Sequence, residues 1–417
     1  MATVSQYPLD YLRNESYSLL SRLHQVKPFS MTMPMVKGAA VSEKALSAVS
    51  EMLEKSKAQL RNNIHKFIDK IKSNEAEAIG IAELQTGFTI LKLRYNSILD
   101  QLDIFADVLS QRAEHEVGVW LAGLDVLAED GLSNTRNLFQ APALMVYLDR
   151  GHGAAIRRAR TRLPGGDENP VAVIQIPRER MVGSGIASSL THEVGHQVAA
   201  MLDLVPSLKA KLSRRAREGD GKDAWNYFAL CISEIICDTW AVGLLGISAT
   251  LGLMGVVALP SYFQFRMDPT DPHPAPYIRV QLSCAFGKRI YPHLQWDKLW
   301  NLWKKFYPMQ HVNPGIMKRL NEIEVEMDEF VRMVLRHSTT EMKGKRLIEL
   351  FPVQERLPAR LQQIAEEARA NRTVFNNLSP TLLFAVLGQA KFDLKMDAIT
   401  ESRILSQQLR RWAFLRK

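Results

Sequence analysis

The sequence predicts a mainly helical α+β fold in three stretches. These are an N-terminal helical hairpin region over 1–135, a middle region with a small sheet over 136–290, and a C-terminal helical region over 291–417. Three observations carry this. Apolar residues recur at spacings of three and four through the first stretch. Short β-branched runs bounded by turn residues follow it. Amphipathic helical patterns resume beyond Pro292.

In the first stretch Leu46, Val49, Leu53, Leu60, Ile64, Phe67 and Ile71 keep helical spacing. Leu84, Phe88, Leu91, Tyr95, Ile98, Leu102, Phe105 and Leu109 alternate four and three as a heptad seam. KSNEAEAIG, Lys72 to Gly80, reads as the turn between them. The pair forms either a long antiparallel hairpin or a dimerising coiled coil, since both need the same pattern. APALMVYLDRGHG then holds a short apolar run ended by Asp-Arg-Gly and reads as a strand, with His152 a loop histidine of no assigned role. RLPGGDENP is a dense turn signal. VAVIQIP, Val171 to Pro177, reads as a strand, and its bounding prolines place it at a sheet edge. GSG leads into the apolar helix SSLTHEVGHQVAAML, with Ser184 as its expected N-cap.

The uncharged run Ala241 to Leu259 approaches the roughly 20 residues that span a bilayer. It holds four glycines, Ser248 and Thr250, and continues the helix before it, so a buried helical hairpin is expected. Further on, WDKLWNLWKKF is amphipathic, NPGIMKRLNEIEVEMDEFVRMVL is one long helix that starts at a turn, and SRILSQQLRRWAFLRK is a basic amphipathic helix.

Hydrophobic residues make up 46% and charged residues 23%, ordinary for a globular chain. The net charge of +9 comes from lysines and arginines spread along the sequence, so no nucleic-acid partner is expected. Three cysteines, Cys231, Cys237 and Cys284, argue against a disulfide framework and suit a reducing compartment. The N-terminal residues lack the apolar run of a secretory signal, so a cytoplasmic location is expected, with signal-independent export left open.

The chemistry concentrates in THEVGH. Residues four apart share a helix face, so His192 and His196 point two imidazoles the same way, and Glu193 stands beside the first. This is H-E-x-x-H, the pattern by which two histidines hold zinc and a glutamate serves as general base. No third histidine follows at the spacing H-E-x-x-H-x-x-G-x-x-H requires, so a carboxylate on a second helix is the expected third ligand. Glu234, in the apolar LCISEIICDTW with Asp238 one turn on, supplies it; a lone buried glutamate is costly unless paired or metal-bound. Cys231 and Cys237 stand three residues to either side and read as small buried residues before they read as ligands.

With DPTDPHPAPYIR following, the order His192, Glu193, His196, Glu234, Asp238, His273-Pro274, Arg279 resembles the gluzincin metallopeptidases. It is most similar to the branch of the CAAX prenyl proteases and the heat-shock membrane metallopeptidases. The resemblance covers about Val171 to Leu282 and implies a zincin-like core. It implies that His192, His196 and Glu234 bind zinc, that Glu193 polarises the attacking water, and that His273 hydrogen-bonds the tetrahedral intermediate. Asp238 would pair with Arg279. Those relatives are embedded in membranes through several apolar helices, whereas this chain has one apolar stretch, so membrane substrates are not carried over. The aminopeptidase signature G-x-M-E-N is missing.

The expectation is therefore a zinc-dependent peptidase, an endopeptidase, acting on a peptide or protein substrate. The heptad helices could also join a second copy or a protein partner. Two other readings stand beside it: a helical interaction or scaffold protein with a degenerate or occluded metallopeptidase core, and an exported peptidase effector.

Overall fold

The computed structural model describes residues 6–73, 79–113, 115–135, 137–150, 153–178, 183–218 and 220–416. His152 and most of the turn expected between Lys72 and Gly80 lie outside them.

The two heptad-patterned segments form helices Glu43–Lys72 and Ile81–Ser110, the first capped by the Ser42 hydroxyl accepting from Ala45 N–H. They run antiparallel. Phe67 and Ile71 near the end of one pack with Leu84 and Phe88 near the start of the other, while Val49 and Leu53 meet Phe105 and Leu109. A third helix, Gln6–Gln25, adds Leu9, Leu12, Leu19 and Leu23 to the same cluster. Most of the seam is thus buried within the chain, as a hairpin, with Tyr95 and Leu102 half-buried.

Among the described residues the sheet has three strands, β1 Ala143–Asp149, β2 Ala155–Arg157 and β3 Val171–Pro177, in the order β1-β3-β2. β3 runs parallel to β1 and antiparallel to β2. The strand expected at the edge is therefore the central one. Its run VAVIQIP is almost wholly buried, as a strand covered on both faces requires, and its proline stands at the last paired position. Leu144, Val146, Ala172 and Ile174 face the main core, whereas Met145, Val171 and Val173 face the helical hairpin. Among the described residues, the free edge beside β3 belongs instead to the short β2.

The main apolar cluster extends from Leu121 to Trp412, taking in the helices around the site and those of the C-terminal stretch. Beneath it lies a buried ionic junction. Asp125 accepts from the Arg112 guanidinium at 3.0 Å, from Val146 N–H at 2.8 Å and from Arg416 at 2.8 Å, which ties a helix, β1 and the last turn of the chain together. The uncharged run 241–259 is broken at Gly246, where φ is 58°, between helices Lys222–Leu245 and Ile247–Val257. Its inner part through Thr250 is buried, and Ala258 and Leu259 are exposed. Helix Lys222–Leu245 is long and apolar enough to cross a membrane by length and composition, and 83% of its apolar 18-residue segment is buried inside the fold.

Candidate metal centre

Three helices build the site. The first, Gly185–Met201, carries His192, Glu193 and His196; the second, Lys222–Leu245, carries Glu234 and Asp238; the third, Pro276–Ile290, carries Arg279 just after the His273-Pro274 turn. The first two approach unusually closely at Gly195. A β-carbon there would lie 2.9 Å from Cys237 Cα, inside any normal contact, so the glycine lets the histidine-bearing and carboxylate-bearing backbones meet. Ser184 occupies the N-cap position of the first helix without a side-chain cap bond. Its backbone N–H instead donates to Glu401 Oε1 at 3.1 Å, from the C-terminal helix Ala398–Leu415.

The fold brings His192, His196, Glu234, Asp238, His273 and Arg279 into one network of contacts. Arg279 grips Asp238 with two hydrogen bonds, Nε to Oδ2 at 2.7 Å and a terminal nitrogen to Oδ1 at 3.0 Å. Asp238 Oδ1 accepts from His192 Nδ1 at 2.8 Å, so that nitrogen carries a proton and Nε2 faces the site. His192 Nε2 lies 3.2 Å from Glu234 Oε2, and His196 Nε2 lies 3.5 Å from Glu234 Oε1. His273 Nε2 stands 3.2 Å from Glu234 Oε2, with its ring half-exposed at the rim. Glu193 is buried, 6% exposed, on the turn beside His192.

Two side chains not singled out in the sequence complete the arrangement. Asp271 Oδ1 accepts from His273 Nδ1 at 2.7 Å and from His273 N–H at 2.9 Å, which fixes the ring's direction. The Tyr227 hydroxyl accepts from Ala275 N–H at 2.7 Å and pins the His-Pro turn to the Glu234 helix. The Asp-x-His of TDPHP was the available signal for the first; nothing local marks the second.

The electrostatics follow from burial and pairing. Burial alone would lower the proton affinity of His192, but Asp238, aided by its hydrogen bond and that of Glu234, raises the pKa to about 9. Burial, with the neighbouring His192 charge, lowers His196 to about 4. Burial would raise Glu234, yet its bonds to His192 and His273 hold it well below the ordinary carboxylate range. Burial would also raise Asp238, but Arg279 and His192 bring it down to about 2. Burial pushes Glu193 up to about 7.

His192, His196 and Cys237 each present one ligand atom, all within 4.8 Å of one another, so this group can hold a metal ion. The Glu234 carboxylate stands beside this group and divides its oxygens between the imidazoles, with Oε2 3.2 Å from His192 Nε2 and Oε1 3.5 Å from His196 Nε2. Asp238 behind His192 is the carboxylate–histidine pairing that orients metal-binding imidazoles. No protein-family model, curated protein or solved structure matches the chain.

Proposed function

We propose that the protein is a zinc-dependent peptidase with a zincin-like core, of the gluzincin type, cleaving within peptide chains. The observation that carries the reading is one continuous chain of contacts, Arg279–Asp238–His192–Glu234–His273, with Glu193 buried beside it.

His192, His196 and Glu234 would hold the metal. Glu234 is preferred to Cys237 as third ligand because its carboxylate already touches both imidazoles. Cys237 is wholly buried, and burial, reinforced by the nearby carboxylates of Glu234 and Asp238, pushes its thiol well above the ordinary value. Zinc, when bound, supplies Lewis-acid polarisation and lowers the pKa of water toward about 7.

The chain's own residues do the rest. Glu193, with its carboxyl near neutrality, takes a proton from the attacking water and returns it to the departing amine. His273, oriented by Asp271, presents its Nε2 to the oxyanion that develops at the attacked carbonyl. Asp238 and Arg279 position the His192 ring and stay out of the reaction. The presence of Glu193 and of the paired His273 favours an enzyme over a decayed scaffold.

The test is Glu193→Gln. This variant should fold and load metal as the parent does, while turnover of a denatured casein substrate falls by several orders of magnitude. Near-normal turnover would refute the role.

A further inference from the structure

The loop that carries the free sheet edge is the most basic segment near the candidate centre. RRARTR runs from Arg157 to Arg162. Arg157, Arg158 and Arg160 are exposed, and among the described residues none of them pairs with a carboxylate. Some other surface arginines are matched, such as Arg346 to Glu349 and Arg410 to Glu116, and others, such as Arg94, Arg214 and Arg319, are unmatched among the described residues, so it is the clustering of Arg157, Arg158 and Arg160 on one short loop that sets this segment apart. Beside β2 opens a groove of about 520 Å3, lined by Arg157, Arg158, Tyr147, Gln175 and a single carboxylate among its described residues, Asp107.

Two geometric facts connect this groove to the metal centre. Ala159 N–H donates to Gln197 Oε1 at 2.9 Å, which fastens the end of the edge strand to the residue after His196. In the β2–β3 register, Ile156 pairs with Ile174 on the face of the His192 helix, while Ala155 and Arg157 pair with Gln175 and Val173 on the groove face. An extended chain laid along the free side of β2 would alternate its side chains between the same two faces. One set would point toward the metal centre and the other into the basic groove.

We propose that this edge and groove take an extended peptide segment bearing acidic side chains at alternate positions, with Arg157 and Arg158 determining that specificity. Charge complementarity selects the occupant, since unmatched guanidinium groups favour carboxylates by charge-assisted hydrogen bonds. The inference deepens the peptidase reading and rests on it for the cleavage step, but the binding step can be measured alone.

The probes are three fluorescent ten-residue peptides alternating threonine with glutamate, with glutamine or with lysine. Fluorescence anisotropy reads their affinity for the full-length Glu193→Gln protein. The glutamate peptide should bind at least about tenfold more tightly than the glutamine peptide at low salt, and the margin should shrink as salt is raised. Arg157→Gln with Arg158→Gln should remove the margin, and Arg157→Glu with Arg158→Glu should transfer the preference to the lysine peptide. Arg214→Gln with Arg217→Gln, outside the groove, should leave it intact. Equal binding of the glutamate and glutamine peptides, or a margin that survives loss of Arg157 and Arg158, would overturn the proposal. Cleavage by the unmodified protein separates the two readings. An intact preference without cleavage supports the groove and sinks the peptidase; cleavage without preference does the reverse.

Discussion

Arg279 and Asp238 offer a perturbation whose size follows from the geometry. Each side chain is 12% exposed, and the two share hydrogen bonds of 2.7 and 3.0 Å. Removing one partner strands a buried charge, at a cost of about 3–5 kcal/mol. At about 2 °C per kcal/mol for a large domain, Arg279→Ala should lower the melting temperature by roughly 6–10 °C. Asp238→Asn should cost a comparable amount, and it also weakens the hold on His192 Nδ1. In the double variant Asp238→Asn with Arg279→Met no charge is stranded, and the side-chain oxygen of the introduced asparagine can still accept from the imidazole. The double variant should therefore be less damaged than the two singles combined, by about 2–3 kcal/mol. Urea unfolding of all four proteins in EDTA measures this without interference from metal. Additivity to within about 0.5 kcal/mol would show that the two side chains do not act as a buried pair, and would leave His192 without a fixed partner behind it.

Gly195→Ala should force the two site helices apart against Cys237, costing about 1–3 kcal/mol and weakening zinc affinity more than an alanine elsewhere on the same helix; titration with a competing chelator checks this. Burial, with the Lys211 charge adding to it, holds the His337 ring, against the Ser207 hydroxyl, below its ordinary pKa of 6.5. The unfolded chain takes up that proton first as pH falls. Its contribution to stability is thus full above about 6.5 and is lost as pH drops toward the folded-state value. Melting curves between pH 7.5 and pH 5 should show a shallower acid slope for His337→Gln than for the parent, and equal slopes would contradict the assignment.

The site was more legible in the sequence than the sheet. Histidines four apart, a lone glutamate and aspartate in an apolar helix, and His-Pro followed by arginine are chemical oddities that stand out wherever they fall, and the fold brings all of them together. The heptad spacing was legible too, because a seam of period 3.5 buries the same residues in a hairpin as in a dimer. The edge strand was not. β2 is three residues long and mostly exposed, too short to show a period, so the longer VAVIQIP took its place although its apolar run, interrupted only by Gln175, already marks a strand covered on both faces. Ser184 stands at the N-cap position without a side-chain cap bond, and its backbone N–H is held by Glu401 from more than two hundred residues away, a contact that no local pattern encodes. Cys237 reads as a small core residue, yet the close approach at Gly195 sets its sulfur beside both imidazoles.

The central claim is that His192, His196 and Glu234 hold one zinc ion. Elemental analysis of proteins loaded with zinc and then desalted tests it directly, using the parent, His196→Ala, Glu234→Ala and Cys237→Ala. One zinc per chain should remain in the parent and in Cys237→Ala, and it should be lost from the other two. Equal zinc in the parent and His196→Ala, or retention in Glu234→Ala with loss in Cys237→Ala, would contradict the account.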